Sequence, residues 1–193
     1  MRVLTLALVL LAINAMSQNK KENLLSRVYF PFNLGYFLTS NSNINPGGLV
    51  KTGLEYRVNK SYGLHFRYAY DIRSTRYKIS QNTTTNALEG KVKFNDNIIG
   101  LGYRLGKQKL KTIGLLQTGL SSYQNPTITG TTNDYKIIDK KAQEVIYKFT
   151  LGVEYYIDQT TAIIIETDYS ILSRSIFLGD ALGVSLGITT TLF

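Results

Sequence analysis

The feature that most constrains this chain is a strict period-two alternation of side-chain character. Between Tyr62 and Arg73 one parity reads Tyr62, Leu64, Phe66, Tyr68, Tyr70 and Ile72, and the other reads Gly63, His65, Arg67, Ala69, Asp71 and Arg73. Successive side chains of a strand point to opposite faces, so this segment has one apolar and one charged face. A helix would scatter both sets around its circumference. The same pattern recurs where Val50, Thr52, Leu54, Tyr56 and Val58 alternate with Lys51, Gly53, Glu55 and Arg57. It recurs over 147–157, 163–171 and 182–188. Three further runs, near 28–39, 91–106 and 110–123, are less regular but rich in Tyr, Phe, Ile, Leu and Thr, as strands are. In the second of these Ile98 and Ile99 compete for the same phase, which a β-bulge would explain.

These runs make eight strands. Their connections alternate in length. Asn59-Lys60-Ser61, Gly106 to Lys109 and Asp158-Gln159-Thr160 are tight hairpins. The other four, near 40–48, 74–90, 124–143 and 173–180, are longer and rich in Asn, Thr, Ser, Gly and Pro, which suits solvated loops. The expected fold is all-β: an eight-stranded antiparallel up-and-down barrel.

Alternation alone leaves open whether the apolar face points in, as in a soluble lipocalin-like barrel, or out into lipid. Four features favour lipid. The strands run about 11–17 residues, enough for the ~9–11 that a tilted strand needs to cross a bilayer. Short and long connections alternate, as periplasmic turns and extracellular loops do. Aromatics gather near strand ends, with Tyr56, Tyr62, Tyr103, Tyr155 and Tyr156 by the short turns and Tyr70, Tyr77, Tyr123 and Tyr147 towards the long connections, like two interfacial girdles. The chain also ends on a strand closing with Phe193.

The N-terminus reads as an export signal over 1–17, leaving 18–193 as the barrel domain. Arg2 is followed by an apolar run from Val3 to Ile13, and Ala15-Met16-Ser17 offers small residues before a cut at Gln18. That run is too short for a spanning helix, which needs ~20 residues. The chain has no Cys and one His, which excludes disulfides, thiolate sites and multi-His metal centres.

With the apolar parity outside, the polar parity lines a lumen. It carries Lys51, Arg57, Arg67, Arg73 and Lys148 against Glu55, Asp71, Glu154, Glu166 and Asp168, with His65 among them. Eight strands leave an interior that side chains fill, so these opposite charges are expected to pair and occlude it. The full chain carries a net charge of +9, and the roughly +8 left once Arg2 departs with the signal then resides mostly in turns and loops.

Taken together, the export signal, eight strands, three short turns, four longer connections and terminal aromatic resemble the small outer-membrane barrels: the OmpX-like and OmpW-like proteins of the porin family and the transmembrane domain of OmpA. The resemblance spans the mature chain at the level of pattern and carries no functional residue across. It implies residence in the outer membrane of a Gram-negative bacterium, with periplasmic termini and extracellular long loops. It implies that Phe193 belongs to a signal read by the barrel-assembly machinery. Here Ser185, Gly187, Thr189 and Thr191 share the parity of Phe193, while Leu186, Ile188 and Leu192 take the other, so either a bulge intervenes or that signal is degenerate. In OmpX-like barrels the strands around the largest loops extend as a protruding sheet, and the length of the third strand, to about Lys78, is compatible with this.

No enzyme or cofactor is expected. His65 as a general base would need a partner within hydrogen-bond reach, and Asp71 lies ~20 Å along the same strand. Glu166 and Asp168 read as answering lumen cations rather than as paired acids. Lys140-Lys141 reads as a solvated pair or as a contact for lipopolysaccharide phosphates. The chain is expected to be a monomer in contact with outer-membrane lipid and lipopolysaccharide, with no nucleic-acid partner. The leading function is a non-enzymatic envelope-structural or surface-interaction role. A narrow channel for small or hydrophobic solutes and a lipid A-modifying enzyme are the alternatives.

Overall fold

A computed structural model describes residues 24–58, 63–79, 88–107, 109–131, 134–173 and 179–191. After a 3₁₀ turn at Leu24–Arg27 come β1 (Val28–Thr39), β2 (Gly47–Arg57), β3 (Leu64–Ile79), β4 (Leu88–Lys107), β5 (Leu110–Thr131), β6 (Asp134–Tyr156), β7 (Thr161–Leu172) and β8 (Ala181–Thr191). Each strand pairs antiparallel with the next and β8 closes on β1, so the wall of the barrel has no free edge. The eight-stranded antiparallel barrel read from the sequence is the fold observed.

The registers fix the barrel's shape. Crossing from Val28 leads through Tyr56, Phe66, Leu101, Leu116, Phe149, Tyr169 and Leu182, and arrives at Leu38, ten residues further along β1. A stagger of that size tilts the strands by about 40° and leaves a narrow interior. The residues on that circuit belong to the outward parity, and Phe66, Leu101, Leu116, Phe149 and Leu182 are exposed. Along β6 the outward set runs from Tyr155 through Val153, Leu151, Phe149 and Tyr147 to Val145. At ~3.4 Å per residue and this tilt, that span rises ~25 Å, the height of a lipid-facing band. The question of inside against outside is thereby resolved in favour of an apolar exterior.

Five sequence expectations need correction. The segment 124–143 is not a loop: β5 and β6 stay paired as far as Thr131 and Asp134. Its polar composition hides the hairpin, and the four successive exposed residues Ile138 to Lys141 show no alternation that would mark a strand. Likewise β3 and β4 remain paired to Ile79 and Leu88, which shortens the connection expected over 74–90. No bulge interrupts β4: its registers with β3 and β5 are continuous, with Ile98 wholly buried and Ile99 63% exposed. Nor does one interrupt β8 over Ala181–Thr191, where Ser185, Thr189 and Thr191 face inward and Leu182, Val184, Leu186 and Ile188 face outward. The girdles are also thinner than expected. Tyr103, Tyr155 and Tyr147 are exposed, but Tyr77, Tyr123 and Tyr156 are buried on the lumen parity beside Thr75, Ser121 and Glu154. The signal segment 1–17, Tyr62 and Phe193 lie outside the described residues.

One end of the barrel carries the tight turns. There Asp158 Oδ1 accepts from the backbone N–H groups of Thr160 and Thr161, both at 2.7 Å, and from Thr160 Oγ1 at 2.8 Å. These donors, led by the Thr160 N–H, hold its exposed carboxyl below the usual carboxylate range. At the other end the β1–β2 connection folds inward instead of standing free. Asn45 N donates to the Arg76 carbonyl at 2.9 Å, Lys78 N donates to the Asn43 carbonyl at 2.8 Å, and Thr75 Oγ1 donates to the Asn45 carbonyl. This extra rung seats Ile44 opposite Tyr77 and buries it over the lumen.

Candidate functional site: the closed lumen

The lumen is layered. Nearest the tight turns, Arg57 lies over the Tyr29 ring at 3.2 Å and 5.8 Å from that of Tyr156. Beside it Glu55 gathers three guanidinium groups: Arg57 Nε at 3.2 Å, Arg67 Nη2 at 3.0 Å and Arg104 Nη1 at 2.5 Å. Glu154 takes the fork of Arg104 through Nε and Nη2, both at 2.7 Å, and accepts from Tyr156 Oη at 3.0 Å. Four strands thus converge on two carboxylates.

The middle layer is built on Glu166 and Asp168. Glu166 accepts from Lys51, from Arg67 Nη1 at 2.5 Å and from Asn33 Nδ2 at 2.8 Å. Asp168 accepts from Lys51 Nζ at 2.7 Å and Thr150 Oγ1 at 2.6 Å, with Lys148 Nζ at 3.8 Å. Lys148 donates chiefly to Asp71. Above this, Arg73 meets Asp96 through Nε at 2.8 Å and Nη2 at 3.2 Å, and its guanidinium rests 5.1 Å from the Phe94 ring.

The layer above is apolar. Phe37, Ile44, Leu49, Val92, Phe94, Ile98, Tyr123, Ile146 and Leu172 form one buried cluster. A smaller cluster of Ile113, Leu115 and Ile164 fills part of the lumen elsewhere. The sequence predicts an interior closed by salt bridges and hydrogen bonds; the structure adds this apolar cap.

All eleven residues read from the sequence as lumen groups are buried, and they come together as described. Two were missed. Arg104 and Asp96 both lie on β4, on the parity of Ile98, where two adjacent isoleucines obscured the phase. Adding them gives six buried cations and six buried anions among the described residues, so the interior carries no net charge with His65 neutral. Their regular i, i+8 spacing around the in-facing Ile98, Gly100 and Gly102 was the signal available.

His65 is wholly buried. Its Nδ1 lies 3.1 Å from the Gly63 carbonyl, and its Nε2 is 3.8 Å from Glu55, a carboxylate already shared by three arginines. Glu166 and Asp168 are not free for acid–base work, since Lys51 bridges them. No group of three potential ligands lies together as a metal cage among the described residues. Lys140 and Lys141 are exposed neighbours on β6, so they point to opposite faces and form no single patch.

A closed barrel with a lipid-height apolar exterior and a charged, self-neutralising interior defines a small outer-membrane barrel. The profile of the family described as "Outer membrane protein beta-barrel domain" matches residues 3–189, and the chain belongs to that family. No curated protein matches it. Among solved structures it is similar to Neisserial surface protein A (NspA), with 16% identity, a TM-score of 0.61, and coverage of 86% of this chain and 97% of that one. It is also similar to the attachment invasion locus protein Ail of Yersinia pestis in complex with the heparin analogue sucrose octasulfate, with 13% identity, a TM-score of 0.46, and coverage of 85% and 98%. A third is the N-terminal β-barrel domain of Pseudomonas aeruginosa OprF, with 11% identity, a TM-score of 0.42, and coverage of 84% and 97%. At these identities the likeness is one of fold.

Proposed function

We propose that this chain is a non-enzymatic, monomeric barrel of a Gram-negative outer membrane, with a structural or surface-interaction role carried by its long hairpins. Its termini and tight turns face the periplasm, and the β3–β4 and β5–β6 hairpins stand outside. The observation that carries this reading is the closed lumen. A solute would have to break a chain of ion pairs running from Arg57 to Asp96 and displace the apolar cap around Phe94. Each such rupture strands buried charge, which costs several kcal/mol. The parts that can meet a partner are therefore the hairpins, where β5 and β6 continue well beyond the register shared with β4 and β7.

Planar-bilayer recording of the purified protein is the test. The expected trace shows no stable discrete openings in symmetric molar salt. Reproducible unitary steps would overturn the closed-lumen reading in favour of a narrow solute channel.

A further inference from the structure

We propose that the outer wall of β3 and β4, just above the apolar belt, binds the phosphate groups of outer-leaflet lipopolysaccharide through Arg76, Lys91 and Lys93. This rests on the orientation given above, with the hairpins outside the cell.

The belt on this wall ends in a sharp sequence. Phe66 and Leu101 are paired and exposed to lipid. Next come Tyr68 and Tyr70, whose hydroxyls donate to Asn97 Oδ1 at 3.0 Å and Asn95 Oδ1 at 3.2 Å. Phenolic tips tied to carboxamides mark the level where lipid gives way to water. One step above Tyr70, Ile72 pairs with Asn95, the next step pairs Ser74 with Lys93, and the step after sets Arg76 directly opposite Lys91. Each outward step of two residues rises ~5 Å along a strand tilted by about 40°, so the cations stand at headgroup depth.

Two properties separate this cluster from a merely solvated face. Arg76, Lys91 and Lys93 are exposed and have no acidic partner within ion-pair distance among the described residues; the nearby Glu89 is engaged by Lys78 at 3.4 Å. Directly opposed like charges also destabilise a strand pair, and a bound dianion removes that repulsion. An arginine between two lysines suits phosphate, since its planar fork takes two oxygens while the ammonium groups act as point charges. The three side chains share the parity of Phe66 and Leu101, so they face the surrounding leaflet rather than the open crown above the lumen. That placement selects a lipid phosphate over a soluble polyanion.

The test uses the full chain refolded in detergent. Native mass spectrometry measures retention of bisphosphorylated lipid A and of the same lipid dephosphorylated. The expected result is at least about 10-fold tighter retention of the phosphorylated form. The combined Arg76→Gln, Lys91→Gln, Lys93→Gln variant loses that preference while keeping heat-modifiable migration, and the Lys140→Gln, Lys141→Gln variant keeps the preference within about twofold. Equal retention of both lipids by the unaltered chain, or an undiminished preference in the triple variant, overturns the site. Soluble dextran sulfate displacing lipid A at equal charge concentration would reassign the surface to a soluble polyanion and overturn the lipid assignment. Orientation is read separately, since the chain has no Cys. The exposed Ser42, replaced as Ser42→Cys, should react with an impermeant maleimide on intact cells, and Lys109→Cys should not. The reverse labelling overturns the orientation and the outer-leaflet assignment together. Equal retention of both lipids by the unaltered chain, with Ser42→Cys labelled, overturns the binding site alone.

Discussion

Glu166→Ala is expected to lower the unfolding free energy by about 3–5 kcal/mol, seen as a fall in the denaturant midpoint of the barrel refolded in lipid vesicles. Glu166 is wholly buried and accepts from Lys51, Arg67 and Asn33. Alanine supplies no acceptor, and the lumen gains one net positive charge in a site water does not reach. Lys51 keeps Asp168 and Arg67 keeps Glu55, so the barrel is weakened rather than abolished. Replacing both partners, Lys51→Met with Glu166→Leu, restores neutrality. Its cost should fall below the sum of the single changes by about 0.5–3 kcal/mol. Additive costs would mean that the two groups do not interact as their geometry requires.

Leu116→Arg carries the second large effect. Leu116 is 70% exposed, halfway along the outward set of β5, between its paired neighbours Leu101 and Phe149. On a soluble barrel such a surface change is worth about ±0.5 kcal/mol. At the midplane of a bilayer it costs about 2–4 kcal/mol, because a guanidinium there has only lipid to solvate it. Urea titration of the vesicle-inserted protein separates the two outcomes. A shift within the soluble range would put this face in water.

What could be read from the chain beforehand follows from where alternation has a physical cause. Between Leu64 and Arg73 one face meets lipid and the other a charged interior, so the period is sharp and the register unambiguous. On β4 the inward face changes from charged to apolar at Ile98, within the cap beside Phe94, and two adjacent isoleucines erase the contrast. Arg104 and Asp96 escape a period-two reading for that reason, although Asp96 pairs with Arg73 and Arg104 with Glu154. The tyrosines show the same limit. Tyr123 and Tyr156 sit near strand ends as girdle residues do, but parity places them inside, where Tyr156 bonds Glu154. At the β5–β6 hairpin four successive residues, Ile138 to Lys141, are exposed, so partner pairing, and not an alternating burial pattern, marks the sheet there. The docking of Ile44 is a tertiary event of the same kind: it depends on the edge that β3 offers above the barrel rim.

The central claim is that these strands form a closed barrel resident in the outer membrane. It is tested most directly by gel migration of the protein extracted with detergent from an outer-membrane fraction. A closed membrane barrel gives a compact, faster-migrating band without boiling that converts to a slower band near 21.7 kDa, or slightly below after export processing, once heated. Recovery in the soluble periplasmic fraction, with the same migration before and after boiling, would contradict it.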